Sequence, residues 1–231
     1  MKHSCFSNAP GRRETQSGWI FYLLSFTVLF YGLEWFNGLL AIPLTEAKLN
    51  FLYYCINFVG AVWIFRNFLG DSLRAAVRRL FPTLWYAALG YLGMQALGNL
   101  LTYLLIFIAP DFSNLNDLSL TLMARSEPLL ALALVLLVPV AEECFFRGLL
   151  FRNLCNRNPL VAYLISMAAF SAIHVVGFLG SLSPVHLLIS FIQYLPAAYC
   201  LCWCYHQTGT IITPILMHTL VNAMGVYNTV R

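Results

Sequence analysis

Charged residues are scarce in this sequence. Of its 231 residues, 13 are lysine or arginine and 9 are aspartate or glutamate, so that 10% are charged while 60% are hydrophobic. A soluble domain of ordinary composition carries about 25% charged residues. The shortage excludes a soluble globular domain. Because the few basic residues are scattered along the chain, it also argues against a nucleic-acid partner. The chain is predicted to lie in a lipid bilayer.

Several motifs of known membrane proteases are also absent. The sequence has no His-Glu-x-x-His, which excludes the zinc membrane proteases of that type. It has neither a Gly-x-Ser-Gly stretch nor a Gly-x-Gly-Asp pair, which excludes rhomboid-like and presenilin-like sites. The seven cysteines are odd in number and lie mostly in apolar runs, a poor basis for a disulfide framework.

Long apolar runs fill most of the chain. A helix needs about 20 apolar residues to cross the hydrocarbon core of a bilayer. The runs of suitable length are Trp19–Ile42, Phe51–Leu69, Leu84–Ile108, Leu129–Phe151, Leu160–Leu179, Val185–Tyr205 and Ile211–Tyr227. With the N-terminus inside, most basic residues fall on the inner side, as the positive-inside rule requires. We therefore predict an all-α, polytopic membrane bundle of about seven transmembrane helices with its N-terminus inside.

Three regions are expected along the chain. Residues 1–18 form a polar inner tail, and residues 19–127 form the N-terminal transmembrane helices. Near residues 71–82 a basic segment has apolar and arginine faces typical of a helix lying on the inner interface, although an ordinary basic loop remains an alternative. Residues 128–231 form a core that holds the polar residues discussed next.

Ionisable side chains within the apolar runs mark a candidate site. Placing Arg, Lys or Asp at the centre of a membrane helix costs about 2.5–3.5 kcal/mol on insertion scales, so such residues are hypotheses of function by default. The fourth run contains Glu142, Glu143 and Arg147. Glu143 and Arg147 are four residues apart and share a helix face, in the favourable order for an ion pair. Glu142 is turned away from Glu143 by about 100°.

Two later runs add further polar groups at similar depths. The fifth run contains His174, and the seventh contains His218 and Asn222. At a rise of 1.5 Å per residue, Glu142 and His218 lie roughly 14 and 12 Å from the inner end of their helices, and His174 and Asn222 roughly 21 and 18 Å. All four depths bracket the middle of a core about 30 Å thick. The side chains are therefore expected to converge on one buried site.

Such a set supports two hydrolytic chemistries. In the first, a carboxylate acts as general base on a water molecule, while an imidazole and the Asn222 amide stabilise the oxyanion. In the second, Glu142, His174 and His218 bind a divalent metal such as Zn²⁺ that keeps an open position for water. The residues alone permit both.

The order of these motifs resembles a known family. The pattern Glu142-Glu143-x-x-x-Arg147, Phe170-x-x-x-His174 and His218-x-x-x-Asn222 on successive late helices is similar to that of the CAAX protease and bacteriocin-processing (CPBP, or Abi) intramembrane proteases. The resemblance covers roughly Leu129–Tyr227. It implies a membrane-embedded endopeptidase that cleaves a peptide or protein substrate near a membrane surface, often close to the C-terminus of that substrate.

The resemblance also implies a role for each motif residue. Glu142 is the general base that activates water, and Glu143 and Arg147 are its supporting pair. The two histidines surround the water, and Asn222 contributes to the oxyanion site. The family has been interpreted both as metal-dependent and as metal-free; we favour the metal-free form for this chain.

Two other classes of function remain as alternatives. A proton- or ion-coupled transporter would also place ionisable groups in the membrane, although such proteins usually show internal repeats and broken helices. A non-catalytic immunity or scaffold protein could retain the same fold. The compact chain with short loops favours a multi-pass protein of a bacterial plasma membrane. The sequence does not reveal whether the substrate is prenylated, a bacteriocin or a protein with a sorting signal.

Overall fold

The computed structural model describes residue 6, residues 8–108 and residues 123–230, and all regular structure within these ranges is helical. The predicted all-α fold is confirmed. The long helices are α1 (Arg12–Gly38), α2 (Glu46–Ile64), α3 (Arg66–Arg78), α4 (Leu80–Ile106), α5 (Pro128–Cys155), α6 (Pro159–Val176), α7 (Pro184–Thr208) and α8 (Ile212–Val230).

The helices are those of an integral membrane protein. Within the described ranges, α1, α2, α5, α6 and α7 are long and apolar enough to cross a bilayer. Large apolar side chains cover their outer faces: Trp63 is 72% exposed and Leu129 79% exposed, as expected where lipid is the neighbour. The other two predicted spans coincide with α4 and α8. Whether these two cross the membrane, and on which side the N-terminus lies, stay predictions.

One carboxylate determines where α1 and α3 begin. Glu14 Oε2 accepts a hydrogen bond from the backbone N–H of Gly11 at 2.7 Å. Its Oε1 accepts from the backbone N–H groups of Asn67 and Phe68, each at 3.1 Å. These are N-terminal amide groups that have no partner within their own helices. With this support α1 begins at Arg12, inside the predicted tail and before the predicted span begins at Trp19.

The basic segment predicted near residues 71–82 is a helix, α3, but with different bounds. It ends at Arg78, and Arg79 has φ −125° and ψ 48°, outside the helical range, so that Leu80 already belongs to α4. Ser72 and Ala76 face the protein, whereas Leu73 and Val77 are exposed. This amphipathic arrangement fits the predicted interfacial position, which itself stays a prediction.

The central helix α5 changes its winding at the predicted site. It is α-helical from Pro128 to Glu143 and π-helical over Cys144–Phe151. Such wide turns leave carbonyl groups poorly matched to the helix, and they often occur at functional sites. The Tyr22 hydroxyl donates to the carbonyl of Ala141, and the Ser166 hydroxyl donates to that of Phe146 at 3.1 Å. Because α5 packs against α2, α6 and α8, its residues can meet groups from all three.

Candidate active site

Glu143 is at the centre of a buried ion network. Both Glu143 and Arg147 are completely buried, and Arg147 Nη1 donates to Glu143 Oε1 at 3.1 Å. His218 Nδ1, from α8, lies 2.9 Å from the same oxygen. Arg147 Nη2 donates to the carbonyl of Ala198 on α7 at 3.2 Å, and its guanidinium lies 4.6 Å from the centre of the Phe170 ring. The network therefore joins four helices around one carboxylate.

Glu142 faces a different environment from its neighbour. Its Oε1 accepts a hydrogen bond from the hydroxyl of Tyr54, on α2, at 3.1 Å. Its Oε2 is buried and accepts no hydrogen bond from the part of the chain that the structure describes. The carboxylate therefore has one oxygen held by α2 and a second oxygen with unused acceptor capacity.

A cavity of about 520 Å³ lies beside Glu142. Its polar lining includes four of the six residues predicted from the motifs: Glu142, His174, His218 and Asn222. Most of the remaining lining is apolar, with side chains such as Met94, Leu134 and Val221. The structure thus brings four predicted residues from three helices to one cavity, whereas Glu143 and Arg147 lie behind it.

The two histidines are held by their Nδ1 atoms. His174 Nδ1 lies 2.8 Å from the carbonyl of Phe170. A carbonyl can only accept, so this nitrogen carries the proton and the neutral ring keeps its lone pair on Nε2. His218 Nδ1 likewise donates, in this case to the Glu143 carboxylate, which can only accept. In His174, Nε2 is therefore the ring nitrogen suited to accept a hydrogen bond.

The alternative metal-binding set receives no support from the geometry. No three His, Cys, Asp or Glu side chains within the described ranges are grouped so that they could hold a metal ion. Glu142, His174 and His218 share the cavity wall, but they do not form such a group.

Sequence reasoning missed the contribution of α2 to the site. Asn50 and Tyr54 both line the cavity, and the Tyr54 hydroxyl contacts Glu142 directly. The two residues are four apart, which places them on one helix face. That spacing was visible in the sequence, but nothing in the pattern linked Tyr54 to Glu142. Tyr194, whose ring lies 4.4 Å from that of His174, was missed for the same reason.

Comparisons with known proteins agree with the resemblance drawn from the motifs. Residues 124–224 match the family model described as type II CAAX prenyl endopeptidase Rce1-like, a range that includes all six motif residues. The UPF0177 protein YxdF of Lactococcus lactis subsp. lactis (strain IL1403) is 33% identical over 90 residues, which are 39% of this chain and 44% of that protein. No solved structure matches the chain. The predicted resemblance is confirmed over residues 124–224.

Proposed function

We propose, from the Rce1-like match over residues 124–224, that this membrane protein is an intramembrane endopeptidase in which Glu142 activates the attacking water. The observation that carries the proposal is the cavity wall. A carboxylate, two histidines and an amide from α5, α6 and α8 line one mainly apolar space, as hydrolysis of a peptide bond would need.

In the proposed reaction Glu142 first acts as general base. It takes a proton from water, whose oxygen bonds to the carbonyl carbon of the substrate while the carbonyl π pair moves to oxygen. The side-chain N–H of Asn222 donates a hydrogen bond to this oxyanion. When the tetrahedral intermediate collapses, the C–N bond breaks, and Glu142 returns its proton to the departing amine. The carboxylate is thereby restored.

The histidines support the water and the oxyanion in this mechanism. His174 Nε2 is the acceptor nitrogen of its ring and can orient the O–H of the water. His218 is anchored by the 2.9 Å contact with Glu143, which Arg147 holds in turn. The role proposed for Glu143 and Arg147 is therefore to fix His218 at the cavity wall. Preorganised groups of this kind need no rearrangement during the reaction.

The cavity chemistry also suggests the kind of substrate. Its mainly apolar lining favours an apolar peptide segment that reaches the cavity from the bilayer. We propose a membrane-associated or C-terminally processed protein as substrate, a bacterial plasma membrane as location and a metal-free reaction. A prenylated protein, a bacteriocin and a protein with a sorting signal all satisfy this description.

Mass spectrometry of membrane proteins tests the proposal. Cells that produce the wild type should accumulate a truncated product. The product should be absent from cells that produce the Glu142→Gln variant instead. Glu34→Gln is the control, because Glu34 is an exposed carboxylate on α1 that does not line the cavity. Equal product from the wild type and the Glu142→Gln variant would refute the proposal. So would ion flux in proteoliposomes without proteolysis, which would favour the transporter alternative.

A further inference from the structure

We infer that Tyr54, on α2, is a positioning residue for Glu142, so that the active site extends beyond the residues matched by the family model. The inference rests on the proposed function, because it assigns Tyr54 a task in that reaction. Residues 124–224 contain every motif residue, whereas Tyr54 lies 88 positions before Glu142 in the chain.

The first support is the hydrogen bond itself. The Tyr54 hydroxyl donates to Glu142 Oε1 at 3.1 Å, and no other hydrogen bond to this carboxylate is seen in the described ranges. Both residues line the cavity. A general base must hold its oxygen within hydrogen-bond reach of the water it deprotonates. By holding Oε1, Tyr54 restricts the rotation of the carboxylate at the cavity wall.

The second support is the rigid attachment of Tyr54 to the rest of the bundle. Ser25 on α1 donates to Asn57 Oδ1 on α2 at 2.6 Å, and both residues are buried. Asn57 Nδ2 donates in turn to the carbonyl of Tyr53 at 2.9 Å. The backbone next to Tyr54 is therefore tied to α1, which limits the movement of its hydroxyl.

The third support is a parallel contact from α1. The buried hydroxyl of Tyr22 donates to the carbonyl of Ala141, the residue before Glu142. Two tyrosines on the N-terminal helices thus hold two parts of α5: Tyr22 the backbone before Glu142, and Tyr54 its side chain. Together they fix the carboxylate at the point where α5 changes to π-helical winding.

Tyr54→Phe and Tyr53→Phe form a matched pair that tests the inference. Each variant loses one phenolic hydroxyl from the same helix, but the Tyr53 hydroxyl contacts Ser25 and does not contact Glu142. The variants are assayed as purified protein in lipid nanodiscs with a peptide that the wild type cleaves. Tyr54→Phe should lower kcat about tenfold, the size expected for loss of one hydrogen bond, and leave KM and the melting temperature near the wild-type values. Tyr53→Phe should leave kcat unchanged.

Infrared difference spectra provide a readout that does not need turnover. The carboxylate stretch of Glu142 can be isolated by subtracting the spectrum of Glu142→Gln from that of the parent protein. The band should shift in Tyr54→Phe and stay in place in Tyr53→Phe, because only the first change removes a donor to this carboxylate.

The possible outcomes distinguish the positioning role of Tyr54 from the proposed protease function. An active wild type with an unshifted band and unchanged kcat in Tyr54→Phe would overturn the inference alone. Loss of kcat that only follows loss of folded protein would also overturn it, because Tyr54 would then merely connect helices. A wild type without proteolysis would overturn the proposed function and, with it, the positioning role, even if the band shifts.

Discussion

The two sides of α5 differ in what surrounds their carboxylates. On one side Glu143 is completely buried and shares one oxygen between Arg147 and His218. On the other side Glu142 lies at a cavity wall, and Tyr54 is its one hydrogen-bond donor among the residues that the structure describes. Adjacent residues of the same type therefore have different capacities. The first is held in a network that can orient His218, whereas the second lies on the cavity wall, where the proposed reaction needs a base.

Loss of Arg147 should have the largest effect, and it should act on stability. Replacing Arg147 with Leu leaves the buried Glu143 without its cation, and removal of one member of a buried pair costs about 3–5 kcal/mol. The free energy of unfolding in detergent should fall by that amount. Arg157→Leu, at an exposed arginine, should change it little. Equal stability of both variants would show that the Glu143 network contributes no net stability.

Loss of Asn222 should act on the rate instead. Removal of one oxyanion donor costs about 10²–10³-fold in kcat. Asn222→Ala should therefore lower kcat by about two orders of magnitude while the melting temperature stays close to that of the wild type. Asn228→Ala, an exposed asparagine on the same helix, is the control and should leave kcat unchanged. A loss of stability without a loss of kcat would show that Asn222 has a structural role and not a catalytic one.

Glu14 does not line the cavity and should show a smaller effect, on stability alone. Removing an N-terminal cap costs about 0.5–2 kcal/mol, and Glu14 accepts from amides at the start of both α1 and α3. Glu14→Ala should lower the free energy of unfolding by about 1–2 kcal/mol, measured by denaturant titration. The kcat per folded molecule should not change. A fall in kcat greater than the fall in folded fraction would show that α3 influences the site.

Removal of metal ions by a chelator should leave kcat unchanged. In the proposed reaction Glu142 activates water without a cation, so dialysis against a chelator should leave kcat unchanged. Metal analysis of the dialysed protein shows whether any ion was retained. A rate that falls on dialysis and returns with Zn²⁺ would establish the metal-dependent alternative.

More of the fold than of the site could be predicted from the sequence. Apolar runs predict membrane helices because hydrocarbon allows little else, and six of the seven runs each coincide with one helix of the described ranges. The run Phe51–Leu69 continues past the end of α2 at Ile64 into α3. The Glu143–Arg147 pair could be predicted because both residues lie on one helix. The contact of His218 with Glu143 and that of Tyr54 with Glu142 depend on how helices pack, which spacing within one helix does not determine. The π-helical segment Cys144–Phe151 likewise has no pattern of its own in the sequence.

A single-turnover reaction in water enriched in ¹⁸O tests most directly whether Glu142 acts as a general base. The wild type in nanodiscs is mixed, in excess, with a peptide that it cleaves. The enzyme is then digested, and the masses of the peptide product and of the digestion fragment that contains Glu142 are measured by mass spectrometry. If Glu142 activates water, the new C-terminal carboxylate of the product carries ¹⁸O and the Glu142 carboxylate stays unlabelled. Incorporation of ¹⁸O into Glu142 would instead show that its carboxylate attacks the substrate directly, which would contradict the proposed mechanism.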